Sequence, residues 1–380
     1  MDRLRPTVFS RAGRAGWPRS AAVLPALFLL GTFAAGTCEA QKYTVIKLQT
    51  LPGGTYTSAA RMNKAGEVVG NADDSNGDTV AVAWKKAAPT IVFQELPGDI
   101  GAGPSDAVAI NNQGVIVGNS FDFFPVVFET GPNISTAQSI DHGISVGAIN
   151  DANVMVGSVG GHPVLWDGVD ISQRPASLPT TANNFGVPSQ PTGINAAGVI
   201  VGIEYDFLPD FSDTYPVAVR WKPDPTTHAP GATVNALVGL GGKQSAASAV
   251  NSNGWLVGWA TLGNKLQHAV LWEGNNGPFD LGTLGGKQSS ANGVNTEGDI
   301  AGQAQTASGA WHAVLWTHLN FKATDLNLEI SPTLAKQVTL TSASDTNDRC
   351  MVLADGVDNK TGAQESFVLS LTDQSKCNEP

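Results

Sequence analysis

The stretch that decides the fold runs from Asp280 to Gln303 and reads DLGTLGGKQSSANGVNTEGDIAGQ, followed by HAVLW at His312–Trp316. The preceding part of the chain has nearly the same pattern, with GLGGKQSAASAVNSNGWLVGWA and then HAVLW at His268–Trp272. Both copies consist of short alternating or apolar segments separated by Gly, Asn and Asp, which is typical of β-strands joined by tight turns. The chain therefore contains an internal repeat built from β-structure.

One asparagine marks the same step of every copy. It occurs at Asn63, Asn111, Asn150, Asn195, Asn251, Asn295 and, in a weaker copy, Asn347. The spacing averages about 47 residues, which matches the blades of β-propellers. Each copy holds four short β segments, and its third segment usually ends in an aromatic residue.

Three residues after each asparagine stand Gly66, Gly114, Asn153, Gly198, Gly254, Gly298 and Cys350. A short hairpin turn needs a residue with positive φ, which Gly adopts freely and Asn adopts next best. Asn153 therefore supports a turn at this position, whereas Cys350 departs from the pattern. Seven residues after each asparagine, a second glycine recurs in every copy except the last, where Ala354 replaces it.

The order of the segments predicts how the ends of the chain meet. Residues 43–51 resemble the fourth strand of a unit, and the seventh unit stops after its third strand. Pairing the two would complete the last unit and remove an open sheet edge. We predict an all-β fold, a seven-bladed β-propeller of four-stranded blades over residues 41–372, closed by the N-terminal strand. The alternatives are a six-bladed ring with a separate tail module and an open solenoid.

The first forty residues are typical of a secretory signal. Five arginines precede an apolar run from Ala21 to Ala35, and small residues lead to a plausible cleavage site after Ala40. The run is too short for a membrane span and is interrupted by Pro25. We expect residues 1–40 to be removed, residues 373–380 to form a C-terminal tail, and the protein to be secreted, periplasmic or on the cell surface.

The charge balance excludes classes of partner. The chain has 22 basic and 33 acidic residues, a net charge of −11, and removal of residues 1–40 would leave −14. Such a surface disfavours nucleic acid and anionic lipid. Two cysteines would remain, Cys350 and Cys377, and in an oxidising compartment they could join the tail to the last unit.

The repeats resemble the HAF-type extracellular repeat family, which is named for a His-Ala-Phe motif in the aromatic strand. That motif reads His268-Ala269-Val270 and His312-Ala313-Val314 here, with His162-Pro163-Val164 as a variant. The resemblance is strongest in units five and six. It implies a secreted or surface-exposed bacterial protein, and it does not indicate any particular enzymatic reaction.

Two further patterns invite a metal hypothesis. His162, His268 and His312 occupy equivalent positions in separate units, so we expect structural hydrogen bonds and not a shared ion. Asp74, Asn76 and Asp78 have the alternating oxygen spacing of a calcium loop but lack its glycine and its glutamate. They form a weak calcium candidate, and the favoured interpretation is that they form an exposed polar turn. We predict no other cofactor.

The most unusual segment lies between strands two and three of unit four. It combines acids with aromatic residues, and the equivalent loop of unit two does the same. Its candidate ligand-binding residues, with those of unit two, are Glu204, Tyr205, Asp206, Phe207, Asp210, Phe211, Asp213, Phe121, Asp122 and Phe123. If the first strand is innermost, these loops share one propeller face with the Gly-Gly-Lys-Gln-Ser crossovers. A lid folded over its own blades is the alternative.

No catalytic motif is present: the chain has no Gly-x-Ser-x-Gly elbow, zinc-protease motif, phosphate loop or dinucleotide fingerprint. We therefore predict a monomeric, non-enzymatic protein that binds a glycan or a surface protein through that loop face. The alternatives are a polysaccharide-active hydrolase or lyase that uses the acidic loop residues, and a structural protein of the cell envelope.

Overall fold

The computed structural model of the chain describes residues 42–87, 90–95, 105–120, 125–128, 137–139, 144–168, 175–181, 188–207, 214–224, 226–227, 229–274 and 276–377. Over these residues the chain is almost entirely β-structure, arranged as seven four-stranded antiparallel sheets. This confirms the prediction of an all-β propeller with four-stranded blades. Among the described residues, no helix is long and apolar enough to cross a membrane.

The first strand, β1, spans Tyr43–Lys47 and belongs to the last sheet. The next three sheets follow the chain in order. Sheet one contains β2 (Thr57–Met62), β3 (Val68–Asp73), β4 (Thr79–Ala87) and β5 (Thr90–Glu95). Sheet two contains β6 (Ser105–Ile110), β7 (Ile116–Ser120), β8 (Pro125–Phe128) and β9 (Ala137–Ser139). Sheet three contains β10 (Ile144–Ile149), β11 (Val154–Val159), β12 (His162–Asp167) and β13 (Ala176–Ser177).

The remaining sheets repeat the same order. Sheet four contains β14 (Ser189–Ile194), β15 (Ile200–Phe207), β16 (Thr214–Lys222) and β17 (Thr233–Ala236). Sheet five contains β18 (Gly241–Val250), β19 (Trp255–Leu262), β20 (Gln267–Glu273) and β21 (Pro278–Asp280). Sheet six contains β22 (Gly285–Val294), β23 (Ile300–Thr306), β24 (Trp311–Trp316) and β25 (Ala323–Asp325). A 3-10 turn, Leu326–Leu328, and a short helix, α1 (Pro332–Ala335), lead to β26 (Val338–Thr346), β27 (Met351–Asp358) and β28 (Gln364–Leu371).

The two ends of the folded chain meet in the sheet that contains β26, β27 and β28. β1 pairs antiparallel with β28, with Tyr43 opposite Leu371 and Lys47 opposite Phe367. The Tyr43 side chain is only 2% exposed, and the Lys47 ammonium forms an ion pair with the Glu365 carboxylate. A strand from the start of the chain is therefore the fourth strand of the sheet that ends it.

Each hairpin between the first and second strands uses the predicted left-handed residue. Asn153 has a φ of 61° and Cys350 a φ of 54°, in the same region as the glycines at this position. Cys350 thus adopts the expected backbone despite its side chain. It is joined to Cys377 by a disulfide with a Cα–Cα distance of 5.6 Å.

The second glycine of the first six repeats is required by a close approach of two strands. A Cβ atom added at Gly258 would lie 2.0 Å from the Ala246 carbonyl oxygen on the first strand of the same sheet. The first strand has a register shift at this point, between Ala247 and Ala249, and its backbone presses against β19. The last sheet has a further register shift, between Leu340 and Ser342, near the position where Ala354 replaces glycine.

Asp355 on β27 links the last sheet to the first. Its carboxylate accepts hydrogen bonds from the Ser366 hydroxyl and, at 3.3 Å, from the Ala59 amide of β2. Burial raises the pKa of Asp355 to about 6, although the hydrogen bonds from Ser366 and Ala59 act in the opposite direction. The folded protein therefore holds this proton at pH values where the unfolded chain has released it.

The raised pKa of Asp355 predicts a pH dependence of stability. Between about pH 4 and pH 6 the unfolded chain ionises first, so this group lowers stability as the pH rises and keeps it lowered above pH 6. The substitution Asp355→Asn should gain about 1 to 3 kcal/mol relative to wild type between pH 4 and pH 7. Urea unfolding of both proteins at the two pH values tests this, and a pH-independent difference between them would contradict it.

Candidate functional site

The seven turns between the first and second strands converge at one end of the propeller, where they surround a central cavity of about 210 Å³. Every sheet contributes the same three chain positions to the lining of the cavity. They are the asparagine, the residue before it, which is apolar in six sheets, and the residue after it, which stands at the rim. The rim residues are Lys64, Asn112, Asp151, Ala196, Ser252, Thr296 and Asp348.

Each asparagine first stabilises its own turn. The Asn111 side-chain oxygen accepts from the amide of Gln113 at 3.0 Å and from that of Val115 at 2.9 Å. Its side-chain nitrogen remains available as a donor and reaches the Asn150 carbonyl oxygen of the next sheet at 3.1 Å. Asparagine suits both tasks because its side chain carries an acceptor and two donors.

The donor contact recurs in all seven sheets. The side-chain nitrogen to carbonyl oxygen distances are 3.3 Å for Asn63 to Asn111, 3.1 Å for Asn111 to Asn150, 3.1 Å for Asn150 to Asn195, 2.9 Å for Asn195 to Asn251, 2.9 Å for Asn251 to Asn295, 3.3 Å for Asn295 to Asn347, and 3.1 Å for Asn347 to Asn63. These hydrogen bonds form an asparagine circuit that returns to its first member. No asparagine in it is more than 6% exposed.

A second, incomplete set of hydrogen bonds joins the rim residues. The Lys64 amide donates to the Asn112 side-chain oxygen at 2.8 Å, and the Asn112 amide donates to the Asp151 carboxylate at 2.9 Å. The Thr296 amide likewise donates to the Asp348 carboxylate at 2.8 Å. In each case a side-chain oxygen from one sheet accepts from the backbone of the sheet before it.

The charged side chains Lys64, Asp348 and Asp345 at the cavity form ion pairs or hydrogen bonds with other groups of the chain. The Lys64 ammonium lies 3.1 Å from the Asp348 carboxylate. Although partial burial opposes the effect, hydrogen bonds from Thr296 and Lys64 hold the pKa of Asp348 below its ordinary value. Deeper in the cavity, burial raises the pKa of Asp345, whose carboxylate accepts from the Met62 amide at 2.9 Å. The cavity therefore offers hydrogen-bonding groups and one Lys–Asp pair.

The opposite end of the propeller carries the strand two-to-three loops and is called the loop face below. There the β15–β16 hairpin contains the predicted acidic segment. Glu204 is 2% exposed, and its carboxylate accepts from the Thr181 hydroxyl at 2.6 Å and from the Thr181 amide at 3.1 Å. This carboxylate holds a neighbouring segment of the chain in place.

Two other predicted residues lie farther along the same hairpin. Tyr205 and Asp206 are both half-buried, and the Tyr215 hydroxyl donates to the Asp206 carboxylate at 3.2 Å. Phe207 ends β15, but its side chain lies outside the described part of the structure. The same holds for all of Asp210, Phe211, Asp213, Phe121, Asp122 and Phe123.

The weak calcium candidate forms an exposed hairpin turn. One oxygen of the Asp74 carboxylate accepts from the amides of Asn76 and Asp78 at 2.8 and 3.0 Å, and the other accepts from the Asn76 side chain at 3.1 Å. These backbone hydrogen bonds hold the pKa of Asp74 below its ordinary value. Within the described ranges, no group of three or more His, Cys, Asp and Glu side chains is placed to hold a metal ion.

Two of the three repeated histidines, His268 and His312, form hydrogen bonds inside their own sheets. The Nδ1 atom of His268 lies 2.9 Å from the Asp280 carboxylate, and that of His312 lies 2.7 Å from the Asp325 carboxylate. Each aspartate stands on the fourth strand of its sheet. These contacts agree with the structural role that the sequence predicts for His268 and His312.

The tryptophans of the third strands are buried between sheets. Trp84, Trp221 and Trp316 are each 0% exposed. Their indole nitrogens donate to backbone carbonyls in the crossover before the sheet, as Trp84 does to Gln49 at 2.9 Å and Trp316 does to Leu281 at 2.8 Å. They are therefore packing residues and not a platform for sugar rings.

Sequence reasoning identified the asparagines as turn markers but missed their bonds to the next sheet, and it missed the rim residues altogether. One signal for the rim was available, because the position after the asparagine is polar in six of the seven repeats. The inter-sheet partners carry no local sequence signature, since each is a backbone carbonyl 39 to 56 residues away or, for Asn347 to Asn63, 284 residues away.

Comparison with known proteins supports the fold alone. No family model and no curated protein matches this chain. Among solved structures, the β-propeller domain of the Trilobed protease from Pyrococcus furiosus, described as having an open velcro topology, aligns with a TM-score of 0.53 at 12% identity. The alignment covers 86% of this chain and 99% of that domain.

Two further structures align over similar lengths. YCF48 bound to a D1 peptide gives a TM-score of 0.53 at 11% identity and covers 88% of this chain and 98% of that one. The RRP9 WD40 repeats give a TM-score of 0.50 at 11% identity, with 87% and 98% covered. At such identities the shared property is the β-propeller architecture.

Proposed function

We propose that this chain is a secreted, non-enzymatic binding propeller whose loop face contacts a surface protein or a surface glycan. The observation that carries the proposal is the β15–β16 hairpin. It runs to Phe207 on one strand and starts at Thr214 on the other, and its outer part presents Tyr205, Asp206 and Tyr215. Aromatic rings beside a carboxylate suit both peptide and sugar ligands.

The anchoring of this hairpin favours a rigid binding surface. Glu204 fixes its base through Thr181, and the hydrogen bond from Tyr215 fixes the orientation of the Asp206 carboxylate. Preorganised side chains lose less conformational entropy when a ligand binds. YCF48, which shares the architecture, has been captured with a peptide, and protein binding is accordingly one of the two partner classes proposed.

We further infer that the seven sheets form one ring that β1 closes. The antiparallel register between β1 and β28 supports this inference, as does the hydrogen bond from Asn347 to the Asn63 carbonyl. A closed ring leaves no open sheet edge at the ends of the chain. It would also hold the loop-face segments at constant positions relative to one another.

The proposed location rests on two features. Residues 1–40 have the pattern of a secretory signal, and the Cys350–Cys377 disulfide is a bond that persists in oxidising compartments. The location is tested by expressing the full chain in a bacterial host and determining the N-terminus and the compartment of the product. Cleavage after Ala40 and recovery outside the cytoplasm are the expected results.

The binding role is tested with the mature chain, residues 41–380, on a glycan array and by cross-linking to intact cell envelopes. The assay is run with and without Ca²⁺, and released reducing ends are measured for every glycan that binds. We expect binding without product release. Release of sugar ends would instead establish the alternative of a polysaccharide-active enzyme.

The paired substitution Tyr205→Ser with Asp206→Asn should weaken that binding about tenfold or more, since each loss removes an interaction worth about 0.5 to 1.5 kcal/mol. Lys222→Ser, at the other end of β16, is the matched control, because it lies away from the loop face on a strand of the same hairpin. Equal binding by the double variant and wild type would overturn the assignment to this hairpin.

A further inference from the structure

We propose that the central cavity on the asparagine side is a second binding site, which accepts the side-chain carboxamide of an asparagine or glutamine from a peptide segment. The proposal rests on the rim hydrogen bonds, which follow a rule in part of the circle and are interrupted in the rest. The site lies at the opposite end of the propeller from the loop face and does not depend on the function proposed there.

The occupied rim positions establish what kind of group fits. Around the cavity, the residue after each asparagine has the rim residue of the following sheet as its neighbour. Where that residue is Asn112, Asp151 or Asp348, its planar carboxamide or carboxylate oxygen accepts the amide at 2.8 to 2.9 Å. The rim thus provides three examples, within one chain, of an amide recognised by the same kind of oxygen.

Three consecutive sheets lack this acceptor. Around the rim, Asp151 is followed by Ala196, Ala196 by Ser252, and Ser252 by Thr296. Alanine has no side-chain acceptor, the Ser252 and Thr296 hydroxyl oxygens accept from none of these amides, and no hydrogen bond from the three amides is made within the described ranges. Asp151, Ala196 and Ser252 are all exposed at the cavity mouth.

The charges favour a neutral oxygen over an anionic one at this interrupted part of the rim. The rim contains a single basic side chain, Lys64, which is paired with Asp348 on the other side of the cavity. The Asp151 carboxylate adjoins the interrupted part, and the whole chain carries a net charge of −11. A carboxamide provides the same planar oxygen as Asn112 without this repulsion.

The size of the cavity fits one side chain and not a folded element. Its volume of about 210 Å³ is sufficient for one side chain, and its lining includes apolar residues such as Ile149, Ile194 and Val250. A carboxamide placed at the rim would present its oxygen to the amides of the interrupted part. Its nitrogen could then donate to the carboxylate of Asp151.

The test uses ¹⁵N-labelled mature protein and amide NMR spectra, with N-acetyl-L-asparagine methylamide as the probe and N-acetyl-L-aspartate methylamide as the comparison. We expect saturable shifts of the amides of Asp151, Ala196 and Ser252 with the asparagine probe. They should occur at about tenfold lower concentration than with the aspartate probe, because the Asp151 carboxylate repels the aspartate by about the energy of one hydrogen bond. No saturable shift at these amides, or tighter binding of the aspartate probe, would overturn the proposal.

The substitution Ala196→Asn tests the mechanism, because it places the protein's own carboxamide where the ligand's is proposed to bind. It should slow hydrogen exchange of the Asp151 amide and weaken probe binding about tenfold. Ala197→Asn, one residue farther and also exposed, is the matched control and should bind as wild type does. Slowed exchange with unchanged binding would refute the site. Loss of loop-face binding would leave this result unaffected.

Discussion

A mature chain that lacks Tyr43–Lys47 is expected to lose about 4 to 6 kcal/mol of stability, a large part of the about 5 to 15 kcal/mol that a typical domain possesses. The deletion removes the fourth strand of the last sheet and exposes the edge of β28 from Phe367 to Leu371. It also removes the buried Tyr43 side chain, whose hydroxyl has its pKa raised by burial. We expect a large fall in the urea midpoint and aggregation through the exposed edge.

The control for this deletion restores the strand without the covalent bond. A synthetic peptide of residues 42–48, KYTVIKL, added during refolding should recover part of the lost stability. The same peptide with Tyr43 replaced by Lys should not, because position 43 is buried, whereas replacement of the exposed Thr44 should have little effect. An unchanged urea midpoint in the deleted chain would show that β1 does not close the ring.

The fold was predictable because its determinants are local. Strand alternation and the left-handed turn residue are both properties of neighbouring residues in the chain. Even Asn153, which breaks the glycine pattern, could be interpreted from its own preference for positive φ. Cys350 was the one turn residue whose preference gave no help, and its backbone conformation is nevertheless the same as that of the others.

The candidate sites were less predictable because they depend on contacts between distant residues. Glu204 belongs to a segment whose composition is typical of a ligand-binding loop. Its carboxylate nevertheless accepts a hydrogen bond from Thr181, 23 residues earlier in the chain. The asparagine circuit depends on carbonyls in the next sheet, and the rim depends on which side chain follows in that sheet. None of these partners lies within the window over which local patterns carry information.

The substitution Asn251→Ala in the asparagine circuit is expected to cost about 3 to 4 kcal/mol, because one buried and two partly buried hydrogen bonds are lost at once. The amides of Asn253 and Trp255 lose their acceptor, at 3.0 and 2.9 Å, and the Asn295 carbonyl loses its donor at 2.9 Å. Asn251 is only 5% exposed, so water replaces these partners poorly. Urea unfolding of the mature protein measures the loss.

The matched control for Asn251→Ala is Asn253→Ala, two residues farther along the same turn. Asn253 is exposed, and its side chain makes one inter-sheet hydrogen bond, to the Thr296 carbonyl at 2.8 Å. Because water can replace that bond, its loss should cost about 0.5 kcal/mol. Equal costs for the two variants would mean that the circuit does not hold the sheets together. A cost confined to Asn251 would identify the buried asparagine, through its two turn hydrogen bonds and its one hydrogen bond to the next sheet, as the stabilising residue of this turn.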